Sequence, residues 1–182
     1  MTSISMPAAR LRRRGAVAAF AVVMLVAGSS SAASARSTSG STSPPPSAPL
    51  AVRARAAKIP VLKAEAFATH THTLVEITVD GKSVVIPAEI GIDEAARRIT
   101  AVHTHDATGI VHVESPNAGP TYGLDQFLTL WGVGASPKAL CRSLTGATGC
   151  TVSVSSDKTR AASLTSTMHD GETITIDVTT AG

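Results

Sequence analysis

Aromatic side chains make up only 3% of this 182-residue chain and charged ones 16%. A core built from it must therefore rest mainly on Val, Ile, Leu and Ala. There are two cysteines, Cys141 and Cys150, with neither C-x-x-C spacing nor a second pair. A thiolate metal site is therefore a weaker reading than a disulfide, and no soft ligand cluster favours Cu(I). The longest apolar run, Gly15 to Gly28, falls short of the roughly 20 residues that cross a bilayer as a helix. No P-loop, nucleophile elbow or dinucleotide-binding fingerprint occurs, so none of those enzyme classes has support.

Acidic residues are absent from the first 35 positions, which instead carry Arg10, Arg12, Arg13 and Arg14 ahead of the apolar run. Basic, then apolar, then small residues is the pattern of a signal peptide over 1–35, with Ala33-Ser34-Ala35 as the cleavage site. An uncleaved anchor is the alternative. Without the leader's arginines the net charge falls from +3 to about −1, so the basic isoelectric point belongs to the leader and nucleic acid is not an expected partner. A mature form with no membrane span, secreted or held at the cell surface, is expected. In that compartment Cys141 and Cys150 pair as a disulfide, worth about 2–3 kcal/mol for so short a loop.

Residues 36–57 are rich in Ser, Thr, Pro and Ala and include Pro44-Pro45-Pro46. This reads as a disordered or extended spacer. One globular domain is expected over 58–182, an α+β domain with a small, mostly antiparallel sheet and one or two short helices, β-grasp-like or a small sandwich. His72 to Pro87 predicts a hairpin: Val75, Ile77 and Val79 alternate with polar residues, Asp80-Gly81 supplies a type I′ turn, and Val84 and Ile86 return on the same face. Asp93 to Arg98 is open between a helical turn and a loop. Ile99 to Glu114 predicts a second hairpin through Asp106 to Gly109. Leu124 to Trp131 has helical spacing with Gly132 as its stop, and Ser136-Pro137 begins another helix. Cys150 to Val154 and Glu172 to Val178 read as strands, with Ala161 to Thr167 as a pairing candidate for the latter.

Five of the six histidines lie between His70 and His112. In a strand, residues i and i+2 face the same way, so the rings of His103 and His105 converge in front of a sheet. A turn at Asp106–Gly109 sets His103 across from His112 and His105 across from Ile110, which places His103, His105, His112 and Glu114 on one surface. Three imidazoles at about 2.0–2.1 Å suit Zn²⁺ and leave a fourth position for water. His70 and His72 repeat the H-x-H spacing. They either complete the same site or form a second one. Glu114 is a candidate ligand-shell carboxylate or general base. Asp106 and Thr104 are candidates for orienting a ligand ring, with a turn role as the alternative for Asp106. His169 is expected in an exposed turn, and Tyr122, Phe127 and Trp131 in the core or at its rim.

The segments HTHTLVEITVDGKSVVIPAEIGI, VHTHDATGIVHVESP and YGLDQFLTLWGV resemble a family of uncharacterised secreted bacterial and archaeal proteins. Its members combine an H-x-H strand, a V-D-G-K-x-V-x-I-P-A-x-I-G-I hairpin and an H-T-H-D-x-T-G-I-V-H-V-E-S hairpin. The resemblance covers residues 69–133. It implies that His70, His72, His103, His105, Asp106, His112 and Glu114 are motif positions, and it brings no activity with it.

Three functions follow as expectations. The first is an extracytoplasmic domain binding a divalent transition metal, Zn or Cu, through histidines on adjacent strands. The second is a zinc metalloenzyme with carbonic-anhydrase-like or hydrolytic chemistry, Glu114 acting as base. The third is a metal-free surface interaction module whose histidines respond to pH.

Overall fold

The structure, a computed structural model, describes residues 41–42 and 48–181. The expected signal peptide lies outside the described residues, as does most of the spacer. The elements in order are β1 (Ser41–Thr42), α1 (Leu50–Ala57), β2 (Val61–Leu62), β3 (Thr69–Val79), β4 (Lys82–Val85), β5 (Ile92–Asp93), β6 (Arg98–Thr100), β7 (Val102–His103), β8 (Ile110–Ser115), α2 (Leu124–Trp131), α3 (Pro137–Thr145), β9 (Cys150–Ser156) and β10 (Glu172–Thr180).

Everything is arranged around β3, whose 11 residues are enough to serve three partners. One edge pairs in parallel with β10, from Thr73 opposite Glu172 to Val79 opposite Val178. The other edge is divided: its first half takes β8, from Thr69 opposite Ser115 to Leu74 opposite Ile110, and its second half takes β4, from Ile77 opposite Val84 to Val79 opposite Lys82. At the division, the Val75 N–H donates to the Gly109 carbonyl at 2.9 Å. The hairpin turn is as expected, with positive φ at Asp80 (49°) and Gly81 (75°).

The sheet order β1-β4-β3-β10-β9, extended by β8 and β7 on the free half of β3, makes a seven-stranded mixed sheet beside a small antiparallel one of β2, β6 and β5. An α+β domain is what results. Val75, Ile77, Val111, Val113, Ile174 and Ile176 turn to one side of the large sheet and join Leu124, Phe127, Leu128, Leu130 and Trp131 of α2 in the core. Each such apolar side chain contributes about 1.5–3 kcal/mol on burial. The opposite face of β3 carries His70, His72, Leu74 and Glu76.

Several expectations are corrected. The spacer ends before Leu50, because Leu50, Ala54 and Ala57 at helical spacing bury one side of α1 in the core. The Gln126 amide of α2 donates to the Ala57 carbonyl at 2.8 Å, and the Arg53 guanidinium donates to the Leu130 carbonyl, so two side-chain hydrogen bonds tie α1 to α2. Among the described residues the helices therefore number three. Asp93 to Arg98, left open by the sequence, ends β5 and begins β6 with Asp93 paired to Arg98, and the turn lies at 94–97 between them. Ala161 to Thr167 is not a strand; β9 pairs with β10 instead, and Thr167 bridges only Gly123.

Helices α2 and α3 stand where expected. Gly132 closes α2 at φ 99°, and the Ser136 hydroxyl accepts from the Ala139 N–H with Pro137 in the first turn. Cys141 and Cys150 are disulfide-bonded, joining α3 to β9. No helix among the described residues is long and apolar enough to cross a membrane.

Candidate metal centre

His112 sits at the centre of a three-strand row. On β8 it pairs with His72 of β3 on one side and with His103 of β7 on the other. Directly paired residues in a sheet project to the same face, so the expected register brings three imidazoles together. In the neighbouring row Glu114 pairs with His70. The rings of His103 and His112 stack 5.3 Å apart at 11°, and His72 meets His112 edge-on at 4.5 Å.

The expected strand for His105 is too long. Strand β7 stops at His103, and His105 lies exposed in the loop to β8 with no pairing to Ile110. Its ring still folds back: Nε2 lies 3.1 Å from His103 Nε2. Thr104 accounts for this. It is buried between the two histidines, its hydroxyl donates to the Pro87 carbonyl at 2.9 Å and accepts from the Ile90 N–H at 3.1 Å, and its side chain thus anchors the loop rather than orienting a ligand ring. Asp106 is likewise a turn residue, accepting from the backbone and hydroxyl of Thr108. His169 is exposed in its turn, and Tyr122, Phe127 and Trp131 are buried in the core.

The orienting partner of His103 is the main chain. Its Nδ1 lies 2.9 Å from the Thr100 carbonyl oxygen. A carbonyl only accepts, so Nδ1 carries the proton and Nε2 presents a lone pair toward the cluster. Burial, and then repulsion from His105, His112 and His70, outweighs the Thr100 hydrogen bond and brings the His103 pKa down to about 4. Burial and the neighbouring imidazoles likewise lower His112 to about 4. Both rings are neutral at pH 7.

Glu114 is 2% exposed, which is rare for a carboxylate without a charged partner. Its Oε1 lies 3.4 Å from His70 Nε2, 3.8 Å from His112 Nδ1 and 4.0 Å from His103 Nε2. Burial, followed by the Glu65 charge, raises its pKa. Two neighbouring atoms, His112 Nδ1 and Glu114 Oε2, are buried without any hydrogen-bond partner. Orphaned polar atoms of this kind cost about 1–3 kcal/mol each. Lone pairs of neutral imidazoles and a carboxylate aimed at a common volume repel one another unless a cation or shared protons lie between them.

A cation fits. Donors held tetrahedrally at about 2.0–2.1 Å stand about 3.4 Å from one another. The separations around Glu114 Oε1 and between His103 and His105 run from 3.1 to 4.0 Å, so small side-chain adjustments close them on one ion. Two overlapping donor sets occur among the described residues: His103, His105, His112 and Glu114, and His70, His72 and His112, each with its ligand atoms within 4.8 Å of one another.

One member of the site is missing from the sequence reading. Glu65, in the irregular segment between β2 and β3, places Oε1 3.5 Å from His105 Nε2. Phe67 in the same segment bridges to Ser115 and sets its ring 5.3 Å from that of His70. Glu65 stands five positions ahead of His70, and no periodicity marks it. Only its position after a short strand and before the H-x-H pair would have drawn attention. Against protein-family models, curated protein sequences and solved structures, the chain has no match.

Proposed function

We propose that the chain is an extracytoplasmic metal-binding domain that holds Zn²⁺ or Cu²⁺ through His103, His105, His112 and Glu114. The observation that carries this reading is the buried carboxylate of Glu114, with three imidazole nitrogens within 4.0 Å of one oxygen and no partner for the other. Glu114 stands inside the donor set, so its role is ligand rather than base. The Arg-rich leader and the disulfide support export. The donor positions coincide with the sequence motifs, and we extend the reading to the family that those motifs resemble.

Elemental analysis and titration of the full chain, produced without a polyhistidine tag, test the reading. Tight binding of Zn²⁺ or Cu²⁺, reversed by chelator and lost in His103→Ala, is expected. A protein that binds neither ion at micromolar concentration, and whose melting is indifferent to chelator and to added Zn²⁺, is instead the metal-free interaction module.

The metalloenzyme reading is favoured by one feature, the open rim of the site. The side chains of His105 and Glu65 are 41% and 44% exposed and only 3.5 Å apart. A water reaching the ion there would lie beside a carboxylate able to take its proton, which moves the base from Glu114 to Glu65. Chelator-sensitive CO₂ hydration or ester hydrolysis that is lost in Glu65→Gln with metal binding retained would establish it.

A further inference from the structure

Six side chains converge on the histidine face, more donors than one site uses, and they do not form one set. His70 and His72 fall with His112 in a group of their own, apart from His103 and His105. Opposed donors on one first-row ion are separated by at most about 4.2 Å, twice the bond length. A single ion therefore cannot gather both groups as they stand.

The two groups also differ in character. The first contains fully buried His103, oriented by the Thr100 carbonyl, and the buried Glu114 carboxylate. The second is all imidazole, and the side chain of His70 is 39% exposed beside the 62%-exposed Phe67. Backbone geometry fixes the second group as firmly as the first. His70 and His72 are i and i+2 on β3, paired to Glu114 and His112 in adjacent rows, so both rings rise from the same face of a continuous strand.

Glu114 connects the groups. Its Oε1 touches His70 of one at 3.4 Å and His103 of the other at 4.0 Å, while Oε2 is buried and unpartnered. We propose that a second divalent cation binds beside the first, held by His70 and His72, with the Glu114 carboxylate shared between the two ions while His112 serves the first. This rests on the metal-binding reading above and adds a site to it. A shared carboxylate offsets the repulsion between adjacent dications, which in two-metal sites stand about 3.5–4 Å apart. The second ion has only two ligands to itself and faces solvent. It binds more weakly than the first and keeps coordination positions that exchange.

The experiment is a Cu²⁺ and Zn²⁺ titration of the full chain without a polyhistidine tag, read by competition with a chromophoric chelator, elemental analysis after dialysis, and electron paramagnetic resonance for Cu²⁺. Two equivalents are expected, the second at least tenfold weaker than the first. The resonance of the first Cu²⁺ should broaden and lose intensity as the second fills, because the two spins are close. His72→Ala should reduce the count to one and leave the tight step in place, and His105→Ala should weaken the tight step. One equivalent in the unmodified chain, two equivalents without spin coupling, or two equivalents retained in His72→Ala overturns the second site while the metal-binding reading stands. No equivalents overturns both. Should His72→Ala not fold, stoichiometry and spin coupling of the unmodified chain decide alone.

Discussion

The imidazole of His103 donates its Nδ1–H to the carbonyl oxygen of Thr100 at 2.9 Å, across a gap of three residues at the step from β6 to β7. That bond selects the Nδ1–H tautomer and leaves the Nε2 lone pair of a fully buried ring facing His105 Nε2 at 3.1 Å. Long-range ¹H–¹⁵N spectra of the metal-free protein should show His103 as the Nδ1–H tautomer at pH 7, still neutral at pH 5. An Nε2–H tautomer, or a charged ring at pH 5, would contradict the arrangement. On adding Zn²⁺, the Nε2 shift should move while the Nδ1 proton remains.

Glu114 sets apo stability against metal affinity. In the metal-free protein its Oε2 is buried and unpartnered. A Gln amide at the same position donates to the imidazole lone pairs that the carboxylate opposes. Glu114→Gln should therefore leave the apo domain as stable as the parent or more so, by about 1 kcal/mol, and weaken Zn²⁺ binding by at least about tenfold. Urea denaturation with and without Zn²⁺ measures both. Loss of apo stability with affinity unchanged would make Glu114 a structural carboxylate only.

The sequence and the structure agree where a local rule fixes the geometry and part where contacts are distant. Asp80-Gly81 specifies its turn, and the spacing from His103 to His112 about the Asp106–Gly109 corner specifies a register that Val102 opposite Val113 confirms. Gly132 and Ser136 mark helix ends that propensity alone would blur. By contrast LAVRARAA looks like more spacer, because its three buried positions include two alanines and only packing on α2 turns them into a helix. The parallel pairing of β3 with β10 joins residues about 100 apart in sequence, and no short-range signal encodes it. His105 leaves the strand because buried Thr104 bonds to Pro87 and Ile90. Glu65 joins the site from an irregular segment for a tertiary reason of the same kind.

Acid should destabilise the metal-free domain well above the pH at which its carboxylates titrate. His103 and His112 have folded pKa values of about 4 against 6.5 unperturbed. Between those values the unfolded chain binds the extra protons, so stability is present above pH 6.5 and is lost as pH falls toward 4. The slope from fully buried His103 approaches about 1.4 kcal/mol per pH unit. His112 is partly solvated and adds less. Glu114 has its pKa raised and acts in the opposite sense at the acid end, where the folded state takes up its proton first. Urea midpoints with chelator present should fall steadily from pH 7 to about 4. A profile flat from pH 7 to 5 would show that the histidines are not buried as neutral rings.

Gly91 couples the backbone to the site, and a paired substitution isolates that role. At φ 84° a Cβ on Gly91 would overlap Thr100 Oγ1 and lie 2.5 Å from the Val102 carbonyl oxygen and 3.1 Å from His103 Cβ. Two of those atoms are in or beside the strand that carries His103, and Thr100 supplies the carbonyl that orients its ring. Gly81 has a similar φ of 75° with nothing within 4 Å. Gly81→Ala should cost only the conformational strain of a side chain at positive φ, about 1 kcal/mol, and leave metal affinity unchanged. Gly91→Ala carries the same strain plus the displacement of Thr100 and Val102. It should cost about 2–4 kcal/mol and weaken Zn²⁺ binding as well, because the Thr100 carbonyl and the His103 ring move together. Melting temperatures and Zn²⁺ titrations of the two variants, run in parallel, separate a turn effect from a site effect. Equal losses of stability, with affinity unchanged in both, would show that the close approach at Gly91 does not position His103.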